Sequence, residues 1–395
     1  MPNQEKHYLK KLFAQELVSG FGYLAPLSML ALFLSEFKDI TTSQVSLAML
    51  LSSITARWGR LIFAPVLELL KPSVLLAVMQ IVGALGYFLL TFYHSFSIML
   101  LALIFIGFFY GSNTIFIRVL TSFLKEKTNQ STINYSIIHI ATNIAATLGP
   151  ILVNFIYIYY NKEFAFISIC IFLCLSSIYT LFSLKNISFQ KQNNYFKNIF
   201  LLLRSKNLFH FYFLIVLSWF FCAQIYTLAP IIISQTLKLP QYIWTIPTLN
   251  GVMIIILSVH LNKFFHKFTK NYYYQISLSL IFSLLGFYSI IMNYNIINLY
   301  FGVVLLTLSE TLFVPAFQAL CAELVPEDSR VAIFAIYAVF MGMGEGMGYY
   351  FGSKSLNLLN SNLNLYKNSS YILLILILVG IFISIQKTFS IKKNI

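Results

Sequence analysis

The 395-residue chain is 59% hydrophobic and only 10% charged, against about 25% charged in ordinary globular domains, which excludes a soluble protein. A formal net charge of +14 would suit nucleic acid in a soluble chain, but in so apolar a chain the placement of charge matters more than its sum, and we expect no nucleic-acid partner. The four cysteines, Cys170, Cys174, Cys222 and Cys321, fall in or at the ends of apolar segments and read as small buried hydrophobes, without disulfide or metal-ligand spacing.

Twelve apolar segments follow one another, at about 14–34, 45–70, 73–93, 96–120, 133–158, 164–184, 208–232, 242–262, 271–292, 295–320, 330–353 and 371–386. Each approaches the length of a bilayer-spanning helix, so the fold class expected is an all-α membrane protein with twelve transmembrane helices. The charged start runs into a segment too long for the apolar core of a signal peptide, which predicts no cleavable leader. The polar, basic stretch Lys185–Asn207 divides the chain into six segments over 1–184 and six over 208–395, with 185–207 as a linker. If the N-terminus is cytoplasmic, 18 basic residues fall on the cytoplasmic side and 5 outside. By the positive-inside rule both termini are then cytoplasmic.

Only five of the 26 basic residues are arginine, and three of them, Arg57, Arg60 and Arg118, lie within apolar segments. A cation at the bilayer centre costs about 2.5–3.5 kcal/mol on insertion scales, so it faces a protein interior or a water-filled cavity. Arg57 sits near the middle of the second segment. Arg60, three residues on, shares its helix face, and two guanidinium forks there suit an anionic solute. The alternative for Arg60 is an ion pair with Glu68 or a side chain that snorkels toward the cytoplasm. For Arg118, near the cytoplasmic end of the fourth segment, the alternative is snorkelling. In the fifth segment His139 precedes Asn143 by one helical turn, as a solute or proton group or as a hydrogen-bonded packing residue.

In the C-terminal half, Glu310 lies about fifteen residues into the tenth segment, flanked by Thr307, Ser309 and Thr311. A carboxyl that takes up and releases a proton inside the bilayer is what proton coupling requires; the alternative is a protonated acid bonded to a neighbouring helix. Glu345, in the glycine-rich run Met341–Gly348, is a second candidate for solute or proton. Glu16, near the start of the first segment, is equally well an interfacial charge. Trp219, Gln224 and Tyr226 of the seventh segment are candidate cavity residues.

A repeat runs through the chain. Ser112-Asn-Thr-Ile-Phe116 aligns with Ser309-Glu-Thr-Leu-Phe313, each in the fourth segment of its half, and Gly149 aligns with Gly348. Parallel repeats of this kind place a solute site near the membrane midplane.

With these features the whole chain resembles the major facilitator superfamily, and within it the bacterial proton-coupled efflux members. Ala64-Pro-Val-Leu-Glu68-Leu-Leu-Lys71-Pro72 resembles a degenerate form of the family's loop between its second and third spans, with Glu68 for the Asp, Lys71 as its only base and the glycines missing. Arg118 falls where the family carries an intramembrane arginine tied to proton coupling. Asn143 to Gly149-Pro150 resembles the Gly-Pro motif of antiporters with its upstream glycine replaced by alanine, and Ser309-Glu310 to Pro315 resembles a Gly-Glu…Pro pattern of efflux and peptide-transport members.

The resemblance implies a secondary transporter and not an enzyme. It would be a monomer in the bacterial inner membrane, without cofactor or metal, moving a small organic solute with protons by alternating access. Glu310 and Arg118 would couple protons. Arg57, Arg60, His139, Asn143 and Glu345 would contact solute, and Glu68, Lys71, Gly149 and Pro150 would serve gating. The resemblance favours efflux, and the arginines favour an anion such as a carboxylate metabolite or siderophore. The alternatives are a drug/proton antiporter, a proton-driven importer of an anionic nutrient, and a non-transporting receptor or scaffold. No phosphate-binding loop or protease pair is present in the sequence.

Overall fold

A computed structural model of the chain describes residues 3–27, 30–35, 37, 40, 42–63, 71–93, 95–124, 131–185, 195–239, 242–268, 271–292, 295–361, 372 and 375–386. Every regular element among them is helical: α1 (Asn3–Leu27), α2 (Leu30–Ser35), α3 (Thr42–Phe63), α4 (Pro72–Phe92), α5 (Phe96–Ser122), α6 (Ser131–Tyr159), α7 (Lys162–Ser183), α8 (Tyr195–Arg204), α9 (Lys206–Cys222), α10 (Leu228–Ile231), α11 (Thr245–Phe268), α12 (Tyr272–Met292), α13 (Ile296–Glu323), α14 (Arg330–Ser361) and α15 (Ile375–Gln386). Each of the twelve expected segments contains a helix. Among the described residues, nine stretches are long and apolar enough to cross a membrane by themselves.

The described residues fall into two compact units. The first holds Met1–Lys127, Ile140–Ile199 and Val325–Ala338; the second holds Thr128–His139, Phe200–Leu324 and Val339–Ile395. In the first unit, α4 is bound to α7 by Thr180 Oγ1 donating to Gln80 Oε1 at 3.2 Å and Ser177 Oγ donating to the Ala77 carbonyl at 3.1 Å. Its apolar core gathers Tyr23, Phe33, Tyr87, Phe109 and Phe166. Small residues let the helices close up, as is usual where no water drives association. A Cβ on Gly149 of α6 would lie 2.5 Å from the Cβ of Ala25 on α1. The helix continues through Pro150.

The second unit repeats that device on α14. Cβ atoms on Gly344 and Gly348 would lie 2.4 Å from the Val216 carbonyl oxygen and 2.6 Å from the Phe220 carbonyl oxygen, so α9 rests its backbone directly on α14. Gly348→Ala is therefore expected to cost about 1–3 kcal/mol through overpacking, read as a fall in melting temperature in detergent. Gly346→Ala, whose Cβ would meet open space, is the control and should hold or gain about 1 kcal/mol from helix propensity.

Two features depart from a simple series of spans. The linker carries α8, with Tyr195 buried and its hydroxyl donating to the Leu61 carbonyl at 3.2 Å, while Phe196, Phe200 and Leu203 are exposed. Span seven is interrupted: α9 ends at Cys222, a 3-10 turn covers Ala223–Ile225, α10 follows, and a π-helical stretch occupies Ile232–Thr236. Pro230 accounts for the gap, since its ring excludes a helical carbonyl four residues earlier, at Tyr226, and supplies no N–H to it.

Candidate functional site

In the second unit the polar residues converge on Glu310. This carboxylate is buried on α13, and Asn250 Nδ2 of α11 donates to its Oε2 at 2.8 Å. The same amide nitrogen donates to Thr307 Oγ1 at 3.2 Å, and Asn250 Oδ1 accepts from the Tyr226 hydroxyl at 2.8 Å. His139, in the part of α6 that belongs to this unit, brings Nε2 to 3.7 Å from Glu310 Oε1. Cys222 lies within hydrogen-bonding reach of Glu310, and both Cys222 and Tyr226 lie in the electrostatic field of Glu310 and of buried Glu345. Trp219 is buried edge-on against Phe313, its ring centroid 5.3 Å away, and Gln224 is fully buried. Chemically this is a carboxylate and an imidazole in contact, framed by an amide, a phenol, a thiol and a second acid.

The first unit holds a second buried acid, Glu16, and this one is bonded on all sides. Its Oε1 accepts from the Tyr23 hydroxyl and from Thr142 Oγ1, each at 2.9 Å. Its Oε2 accepts from Asn113 Nδ2 at 3.3 Å, and Asn113 in turn reaches Ser19 Oγ at 3.0 Å and accepts from Gln15 Nε2 at 3.0 Å. Glu16 is thus the centre of a network joining α1, α5 and α6, and not an interfacial charge. Its helix explains why: α1 begins at Asn3, which puts Glu16 mid-helix, with Ser19 and Tyr23 following on the same face.

Arg57 and Arg118 are each half-buried, on α3 and α5. Those two helices close on Gly59 and Gly107, where Cβ atoms would meet Phe108 at 2.7 Å and the Ser52 carbonyl at 2.6 Å. The Arg118 guanidinium lies 5.5 Å from the centroid of the Tyr337 ring and acts electrostatically on Tyr23. Asn143 is buried on α6 beside Thr142. Lys71 is exposed at the start of α4. Arg60 lies on α3 with its side chain outside the described residues, and Glu68 lies outside them altogether. Of the expected site residues, the structure brings Glu310, His139 and Glu345 into one neighbourhood. Sequence reasoning missed Asn250 and Asn113, because a neutral amide in an apolar run carries no sign of what it binds. Among the described residues no group of three or more His, Cys, Asp and Glu is placed to hold a metal.

Serial apolar helices with acids and arginines held inside them define a polytopic helical membrane protein. Residues 12–349 match the Major Facilitator Superfamily, and the chain belongs to that family, one of transporters and not enzymes. No curated protein matches it in sequence. Among solved structures it is similar to the human organic anion transporter MFSD10 (TETRAN), at 12% identity and a TM-score of 0.75, covering 97% of this chain and 100% of that one. It is also similar to a bacterial homologue of the iron transporter ferroportin in an outward-facing state, at 13% identity and a TM-score of 0.72, covering 96% and 98%. A POT family transporter in complex with a thioalcohol-conjugated peptide aligns at 14% identity and a TM-score of 0.68, covering 97% and 96%. At such identities the likeness is one of fold.

Proposed function

We propose that the protein is a secondary active transporter that exports a small organic anion in exchange for protons, by alternating access. The observation that carries this reading is the Glu310 carboxylate held between Asn250 Nδ2 at 2.8 Å and His139 Nε2 at 3.7 Å. An ionisable acid and imidazole inside a span are costly to retain unless they are used, and together they can take up and pass on a proton. Arg57, half-buried on a span of the first unit, supplies a guanidinium group for a carboxylate solute, and Arg118, half-buried on another, joins Glu310 in proton coupling. Two of the proteins that share the fold are named for organic anion and for iron transport, which accords with a carboxylate metabolite or a carboxylate siderophore as the solute. The excess of basic residues in one set of loops supports a topology with both termini cytoplasmic, and the membrane proposed is a bacterial inner membrane.

A second reading has its own observation. Glu345 and Glu310 are both buried in the second unit, and two buried acids suit a lipophilic cation, as in a drug/proton antiporter.

Mass spectrometry of medium and cell extract, with and without the gene and in iron-poor and iron-rich culture, separates the two. Under the anion reading, loss of the gene removes one anionic compound from the medium and raises it inside the cell. Arg57→Ala should then reduce export at least about tenfold, the equivalent of one charge-assisted hydrogen bond. Accumulation outside the cell would reverse the direction to uptake, and unchanged anion profiles would transfer the assignment to drug efflux.

A further inference from the structure

Span seven is not a continuous helix, and its gap sits beside the acid proposed to carry protons. Backbone freed from helical bonding inside a membrane must find other partners. Here the Tyr226 N–H donates to the Ala223 carbonyl at 3.1 Å, and side chains supplement it: Thr227 Oγ1 donates to the same carbonyl at 2.9 Å, and Gln224 Nε2 donates to the Phe220 carbonyl at 2.9 Å and to the Gly348 carbonyl of α14 at 3.2 Å. Tyr226, in the turn itself, is 44% exposed, and its hydroxyl is tied to Asn250 Oδ1 at 2.8 Å.

The orientation of the Asn250 amide is fixed by its neighbours. Thr307 Oγ1 spends its hydrogen on the Val303 carbonyl at 2.8 Å, so toward Asn250 it accepts. The ionised Glu310 carboxylate only accepts. Both therefore demand Nδ2, which leaves Oδ1 for Tyr226. Asn250 is 1% exposed. Among the described residues, His139 from α6 and Cys222 from α9 also face Glu310, with Glu345 of α14 acting on Cys222 and Tyr226 in common with it.

We propose that Asn250 is a positioning residue that couples the charge state of Glu310 to the interruption in span seven, through the Tyr226 hydroxyl. This rests on the proton-coupling reading of Glu310 and adds the moving element to it. While Glu310 is ionised, a charge-assisted bond holds the amide so that its oxygen presents to Tyr226. A proton on the carboxyl replaces an acceptor by a neutral, weaker one, or by an O–H that competes with Nδ2. The amide is then free to turn, Tyr226 loses its acceptor, and the turn at Tyr226–Thr227, a 3-10 turn in place of continuous α-helix, loosens. Protonation is thereby converted into motion of span seven.

Hydrogen–deuterium exchange of the full-length protein in detergent tests this without knowledge of the solute. The readout is the exchange rate of a peptide covering the interruption, relative to a peptide from α4. At fixed pD, Asn250→Ala and Tyr226→Phe are each expected to speed exchange about fivefold, the loss of one buried hydrogen bond. Glu310→Gln, which imitates the protonated acid, should speed it by a smaller factor in the same peptide. The Glu310→Gln/Asn250→Ala double variant should exchange no faster than Asn250→Ala alone, because both act on one relay. Acidification should speed exchange in the wild type and leave Glu310→Gln unchanged. Multiplying effects in the double variant, or a Glu310→Gln variant indistinguishable from wild type at all pD, would overturn the coupling. Tyr226→Phe removes one hydroxyl only, so it decides the matter should Asn250→Ala fail to fold. A Glu310→Gln variant that loses proton-driven export while leaving exchange unchanged would overturn the relay and spare the proton reading.

Discussion

Glu310→Gln is expected to abolish net proton-driven transport while sparing exchange of solute across the membrane. Glutamine keeps the length and planarity of the side chain, so Asn250 and Thr307 retain a neighbour of the same shape. What it removes is the capacity to bind and release a proton beside His139, 3.7 Å away. If the carboxylate must be loaded with a proton for one half of the cycle and emptied for the other, a permanently neutral group locks solute movement away from the proton gradient. Solute on both sides can still exchange, since that step needs no net proton transfer. In proteoliposomes with an imposed pH gradient, net transport of the anion found in the medium should fall at least about tenfold, the factor equivalent to about 1.4 kcal/mol and the lower end of what a charge-assisted bond supplies. Counterflow should stay within about twofold of wild type, since the solute's own contacts are untouched. A variant that still accumulates solute against its gradient would sink the assignment of Glu310, and a collapse of counterflow as well would make it a solute contact instead.

The spans were legible in the sequence because the bilayer requires long uninterrupted apolar runs, and each of the twelve expected runs contains a helix. Glu310 was legible for the same reason, as a lone acid deep in such a run. What hydropathy does not carry is which face of a span looks inward, since lipid and protein interior are equally apolar. Asn250, Asn113 and Thr142 were invisible on that account. Glu16 stayed open between an interfacial charge and a buried group because the apolar run from residue 14 hides that α1 already runs from Asn3. The interruption of span seven had a signal in Pro230, which the surrounding Leu and Ile residues concealed. The repeat proved more informative than its few identities suggested. It equates Asn113 with Glu310, and each is buried in the polar network of its own unit, an amide bound to an acid from α1 in one and an acid bound to an amide from α11 in the other. It also equates Gly149 with Gly348, and these glycines admit Ala25 of α1 and Ala223 just after α9, at 2.5 and 2.7 Å from the Cβ atoms they lack.

That comparison makes Glu16 the counterpart whose removal should cost the most stability. Its two oxygens accept from Tyr23, Thr142 and Asn113, donors from three positions on α1, α5 and α6, and the carboxylate is 3% exposed. Glu16→Ala removes the acceptor that all three share, at about 1–3 kcal/mol for each buried polar group that finds no other. Partial rearrangement, such as Tyr23 turning to another oxygen, lowers the sum to about 3–5 kcal/mol. For a chain of this size that corresponds to a fall of roughly 5–10 °C in melting temperature, read in detergent by the loss of the monodisperse peak on heating. Tyr23→Phe takes away one donor and leaves the acceptor with two, so it should cost only about 1 kcal/mol. The Glu16→Ala/Tyr23→Phe double variant should then be more stable than Glu16→Ala alone, because it deletes one of the stranded hydroxyls. Glu16→Gln separates structure from transport. Its carbonyl can still serve Tyr23 and Thr142, while its amide faces the Asn113 amide donor to donor, so an intermediate melting temperature is expected. If Glu16 is there to hold α1, α5 and α6 together, export by Glu16→Gln will follow the amount of folded protein. Export lost from a folded Glu16→Gln variant would instead make this acid a working part of the transport cycle, and a Glu16→Ala variant melting with the wild type would show that water enters the network and replaces the carboxylate.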